Sequence, residues 1–210
     1  LNVSREMLQN NPQLKKIKAG LVGRLLKDLK KRSKDPEAYA IFWSTFGAVL
    51  KEGLYEDFER RSKLLDLCRF QTTATEEWRS FGDYIASMKD KQEAIYYITG
   101  EDATTLRRSP QLEGYLAKGV EVIFLTDPVD EFWVTSVGVF DKHPLRSAAQ
   151  AADDLDAIAN DGKDEAADAE SSSKANNAEI DSLIDRFKTA LGDAVKDVRA
   201  SSRLRESAVC

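Results

Sequence analysis

Ala94-Ile95-Tyr96-Tyr97-Ile98-Thr99 and Val120-Glu121-Val122-Ile123-Phe124-Leu125 are the two stretches on which the fold turns. Both are short and rich in β-branched and aromatic residues, and Gly100 ends the first, so both read as buried strands. The chain between them reads as helix from Asp102, breaks at Ser109-Pro110 and resumes to Lys118-Gly119. Strand, helical crossover and strand require parallel pairing with a right-handed connection. The sequence therefore predicts a small α-β-α unit with a parallel sheet over 91–147.

Upstream, residues 1–90 read as a long helix and a helical coil. Ser4 offers a cap to a helix running to about Lys34, with Leu8, Leu14, Ile17, Leu21, Leu25 and Leu29 as its apolar face. Asp35-Pro36 restarts the chain, and Tyr39, Phe42, Trp43 and Phe46 mark a second helix that ends near Gly53. A third helix is expected from Tyr55 to Arg69 with Phe58, Leu64, Leu65 and Leu67 turned inward. Another is expected from Ser80 to Met88. Downstream, Asp127-Pro128 supplies an N-cap and an N1 proline for a helix toward Phe140. Residues 148–178 turn to Ala, Asp, Ser and Asn and read as an acidic linker. Residues 179–210 read as the truncated start of a second α+β domain, with a helix from Ile180 to Leu191 closed by Gly192 and a weak strand pattern from Val195 to Leu204. The fold class is α/β, helix-rich.

Composition narrows the function. The 210 residues are 42% hydrophobic and 32% charged, which suits one or two compact cores. No apolar run approaches the roughly 18 to 20 residues of a membrane span, and no signal pattern opens the chain, so a soluble cytoplasmic protein is expected. Leu1 replaces an initiator methionine and a new apolar pattern is cut short at Cys210, which reads as a piece of a longer chain. Cys68 and Cys210 form no metal or disulfide pattern. The net charge of -5 conceals a linker with ten acids between about 150 and 181.

Most motif-like features have an ordinary explanation. The sole histidine, His143, precedes Pro144 in an expected surface turn, so neither a metal site nor a Ser-His-Asp triad is expected. Gly20-Leu21-Val22-Gly23 lacks the spacing and the Gly-Lys-Ser/Thr ending of a phosphate loop. Nine Lys or Arg between Lys15 and Lys34 face only Asp28, but with no stacking platform this reads as a solvated helix face rather than a nucleic-acid interface. Asp127, Asp130 and Glu131 read as first-turn acids that favour the helix dipole. Two features remain. Arg5 and Gln9 share one face at a helix start, an arrangement suited to phosphate. After Asp127-Pro128, Val129, Trp133, Val137 and Phe140 form a core stripe that leaves Phe132, with Thr135 and Val139 nearby, on a separate apolar patch suited to binding.

The opening LNVSREMLQ, residues 1–9, resembles the catalytic loop of the middle domain in the heat-shock protein 90 family. YYITGE at 96–101, SPQLE at 109–113, VEVIFLTDPVDE at 120–131 and LGDAVKDVRASSRL at 191–204 resemble the family in the same order, and the bacterial branch above all. The resemblance implies a homodimeric, ATP-driven chaperone in which a separate N-terminal domain holds ATP with Mg. Arg5 would reach the γ-phosphate, Gln9 would support that loop, and no cofactor would be held by this stretch, which would be inactive as an ATPase alone. Phe132 and Thr135 fall where the family more often carries Trp and Asn in its surface for unfolded or partly folded client proteins. Other implied partners are the N-terminal ATPase domain and the C-terminal dimerisation domain of the same protein. A stand-alone protein-interaction module is the alternative and, ranked below it, a nucleic-acid binder through the basic helix.

Overall fold

The computed structural model describes residues 11–150, 158, 173–192, 195 and 198. Arg5 and Gln9, the Ser4 cap and most of the expected linker lie outside them. The first described helix, α1 (Pro12–Arg32), begins at Pro12, so the expected continuous helix from Ser4 is corrected. Asn11 is extended (φ -72, ψ 121) and its side chain accepts Gln13 N–H at 2.8 Å. A residue before proline disfavours the α region, and proline is tolerated at N1, so Asn11-Pro12 starts the helix anew.

The covered face of α1 also differs from the expected one. Leu14, Ile17, Leu21 and Leu25 are exposed, whereas Leu26 and Leu29 are buried and Val22 packs against the core. At 100° per residue the two apolar stripes lie about a third of a turn apart. Neighbouring elements cover only the second.

Helix α2 (Pro36–Glu56) is capped by Asp35, whose carboxylate accepts Ala38 N–H at 3.2 Å. It buries Tyr39 and Trp43 but leaves Phe46 half exposed. The third helix, α3, is shorter than expected, Arg61–Leu67. Leu64, Leu65 and Leu67 point inward as expected, but Phe58 lies before the helix, 68% exposed. α4 (Phe81–Ala86) starts in a capping box between Ser80 and Asp83.

The sheet has the order β1-β3-β2-β5-β4. β2 (Ile95–Thr99) and β3 (Val122–Leu125) pair in parallel, as the sequence predicts. The crossover holds α5 (Ala103–Arg107), a 3₁₀ turn at Pro110–Leu112 and α6 (Glu113–Ala117). The sheet is mixed rather than parallel throughout. β1 (Gln71–Thr72) adds antiparallel to β3, and β4 (Val139–Phe140) adds antiparallel to β5 (His143–Ser147), which itself runs parallel to β2. His143 thus starts a strand rather than lying in a turn. Its Nδ1 lies 3.1 Å from Glu93 O.

Alternation along the strands divides the core. Ile95, Ile123 and Leu125 face α1–α4 and Trp133, while Tyr96, Ile98, Val122 and Phe124 face Leu106, Leu112 and Tyr115. Ala148 and Ile158, from the stretch read as a linker, are buried in the second cluster. Tyr84 ties β2 to β3: its hydroxyl donates to Glu121 O at 2.7 Å and accepts Tyr96 N–H at 3.0 Å. A further helix, α8, spans Ser173–Leu191.

Candidate functional site

Helix α7 (Asp130–Val137) carries the exposed aromatic. Its expected extension to Phe140 stops at Val137, because Gly138 adopts a left-handed backbone (φ 63) that ends the helix before β4. Trp133 is fully buried and Val134 nearly so, while Phe132 is 62% exposed. Val129, Val137 and Phe140 pack against the first core, so the core stripe is as expected. Thr135 is exposed too, but its hydroxyl donates to Phe132 O at 3.0 Å and Glu131 O at 3.3 Å. Its donor is therefore engaged by the helix, which leaves lone pairs and a methyl group facing outward.

The mount of this helix was not visible in the sequence. Lys51 of α2 places Nζ 2.8 Å from Asp127 Oδ2 and 2.9 Å from Asp130 Oδ2. The Lys51 side chain is 4% exposed and that of Asp130 is wholly inaccessible. Asp130 Oδ2 also accepts Asp127 N–H at 3.0 Å, and Asp130 Oδ1 accepts Trp133 Nε1–H at 2.6 Å. Burial alone would depress the Lys51 ammonium, but the Asp130 and Asp127 carboxylates outweigh it and hold its pKa above the ordinary lysine value. Asp130 stands in the first turn of α7, as expected, and is in addition the buried hub of an ion network. Asp127 does not cap α7, whose N-cap is Val129 without a side-chain bond; its carboxylate pairs with Lys51 and its N–H donates to Asp130. With the Asp130 carboxylate satisfied at three points, the first turn of α7 is fixed, and Phe132 is held outward beside an immobile Trp133.

Among the described residues no group of three or more His, Cys, Asp or Glu is placed to hold a metal ion, and no helix is long and apolar enough to cross a membrane. Cys68 is buried at the centre of the core, and burial pushes its thiol up to about 12, which makes it a poor nucleophile. Of the basic residues of α1, Arg32 pairs with Asp28 at 2.7 Å and Lys30 with Asp66 at 2.9 Å.

The structure resembles the middle domain of a heat shock protein from Plasmodium falciparum, with a TM-score of 0.62 and 28% identity over 68% of this chain and 61% of that one. The family model described as Hsp90 protein matches residues 1–210, and the chain belongs to that family. Within it, the chain is 55% identical over 212 residues to the chaperone protein HtpG of Rhodospirillum rubrum, and 54% identical over 211 residues to that of Paramagnetospirillum magneticum. Each match covers 100% of this chain but only 34% and 33% of those proteins. The chain thus spans about a third of the relatives' length.

Proposed function

We propose that this chain is the middle segment of an ATP-dependent chaperone and that Phe132 and Thr135 form part of its surface for unfolded or partly folded proteins. The observation that carries the reading is the contrast between adjacent aromatics: Trp133 is fully buried and Phe132 is 62% exposed on a helix locked by buried charge. A large aromatic on a rigid mount gives contact area at a small entropic cost. Family membership and the naming of the relatives as chaperones support it.

In the same reading, Arg5 extends its guanidinium to the γ-phosphate of ATP bound elsewhere in the longer protein, and Gln9 supports the loop. A guanidinium binds phosphate oxygens bidentately and offsets charge that develops during phosphoryl transfer. ATP with Mg would supply the phosphoryl group that passes to water, with ADP as the leaving group; this chain would contribute the positive charge and its position. The parent is read as a homodimeric cytoplasmic protein whose partners include client proteins and its own flanking domains.

The direct test is Phe132→Ala in this chain, with binding of fluorescent, reduced and carboxymethylated α-lactalbumin followed by anisotropy. Binding should weaken by at least about fivefold with the melting temperature unchanged. An unchanged Kd overturns the client reading. For Arg5, Arg5→Ala in the full-length protein should lower ATP turnover by about 10²-fold with nucleotide affinity retained. Normal turnover removes that role.

A further inference from the structure

An open groove of about 970 Å³ lies between α3, α4 and the corner where α7 turns into β4, with Phe58, Leu65, Ile85, Val139 and Phe140 on its walls. Phe58 and Val139 are 68% and 53% exposed. The established elements of the fold use neither residue as core. The charged side chains lining the groove are Lys30, Arg61, Asp66 and Asp141, two of each sign, and Lys30 and Asp66 pair at 2.9 Å. The lining charges sum to zero, and apolar surface is the larger share of the groove.

Arg61, which lines the groove, also bonds Ser136 and so links the groove to the Phe132 side of α7. Phe132, Thr135 and Ser136 are all exposed and share one side of α7 at i, i+3 and i+4, and Val139 follows directly after the left-handed Gly138. Arg61 closes the gap between this side and Phe58. Its guanidinium donates to Ser136 O at 3.2 Å and to Ser136 Oγ at 3.0 Å, its Nε donates to Leu54 O at 2.7 Å, and its Cζ lies 4.2 Å from the Phe58 ring centroid. These contacts hold Phe58 and α7 in one arrangement. β4, beside the groove, is the end strand of the sheet, paired with β5 alone among the described residues. An end strand leaves one edge of its backbone open to an extended chain.

We propose that one extended, non-native polypeptide segment lies along this whole track, with one large apolar side chain against Phe132 and a second in the groove between Phe58 and Val139. The proposal rests on the client-binding reading above and enlarges it from a single aromatic to a two-point site. Two anchoring points on a fixed frame suit a partner with no structure of its own, since the partner's flexible chain spans whatever separates them.

The test uses the 210-residue chain and the same labelled, reduced and carboxymethylated α-lactalbumin. Phe58→Ser and Val139→Glu each alter an exposed side chain, so Val139→Glu decides the matter if the loss of the Arg61 contact unfolds Phe58→Ser. Each should weaken binding by about threefold or more at unchanged melting temperature, as Phe132→Ala does. Because the lining charges cancel, Kd should shift by less than about twofold between roughly 50 and 300 mM salt. If Phe132→Ala weakens binding and both groove variants bind normally, the two-point site is overturned and the Phe132 reading stands. If only the groove variants weaken binding, the Phe132 reading falls and with it the continuous track. Sedimentation that shows self-association abolished by Val139→Glu, with no change in α-lactalbumin binding, assigns the groove to a second copy of the chain and overturns the proposal.

Discussion

Two regions of this chain reverse the ordinary rule of burial. Where α2 meets α7, three charged side chains converge, and Lys51 and Asp130 are almost wholly enclosed. On the outer face of α1, four large aliphatic residues, Leu14, Ile17, Leu21 and Leu25, stand 40–61% exposed. The difference is one of partners. Each charge at the first site meets an opposite charge at 2.8–2.9 Å, and Asp130 accepts two further N–H groups at 2.6 and 3.0 Å, so burial there is tolerated. The leucines have nothing opposite them among the described elements, and hydrophobicity without a matching surface does not bring burial.

The largest effect should follow from Lys51→Met, which leaves two carboxylates facing each other without their cation. A loss of about 3–5 kcal/mol in chemical denaturation is expected. A loss below about 1 kcal/mol would show that solvent reaches the pair and would break the contrast.

Alkaline pH should act on the same core. Burial raises Cys68 to about 12 and Tyr39 to about 12, and the carboxylate partners raise Lys51 despite its burial. All three hold their protons more tightly folded than unfolded, so their contribution is complete below the ordinary thiol value, near 9, and is lost as pH rises toward 12. The melting temperature should therefore fall steadily above about pH 9, and Cys68→Ala should flatten the first part of that fall.

Glycines then sharpen the comparison by sign. A Cβ at Gly47 would sit 2.8 Å from the buried Trp43 ring, so Gly47→Ala should destabilise by about 1–3 kcal/mol. At Gly23 of α1 nothing lies within 4 Å, and Gly23→Ala should stabilise by about 0.5–1 kcal/mol through helix propensity. Smallest of all, Leu21→Gln on the open stripe should change stability by less than about 0.5 kcal/mol. A cost above about 2 kcal/mol would mean that the stripe is covered in solution.

Much of this was legible beforehand where local chemistry decides. The two central strands, the helix starts at Asp35-Pro36, Ser80 and Asp102 and the off-stripe position of Phe132 all follow from residues close together in sequence. β1, β4 and β5 did not show, because Gln71-Thr72, Val139-Phe140 and a stretch that contains His143-Pro144 have little strand character of their own and are strands only by virtue of a neighbour. In α1 two apolar stripes compete, and the sequence does not say which one a partner covers. Phe58 was expected inside because its spacing continues that of Leu64 and Leu65; the chain enters α3 only at Arg61, which leaves the ring on the lip of a groove. The role of Lys51 was hidden because its acceptors lie 76 and 79 residues away.

That separation governs the order in which the molecule can be made. During synthesis α2 emerges long before Asp130, so for that interval Lys51 has no carboxylate to meet and the face of α2 destined for α7 stays open to water. The contact between α2 and α7 thus cannot form until the strand-crossover-strand segment has been delivered, and closing so long a loop is slow compared with the local helices that precede it.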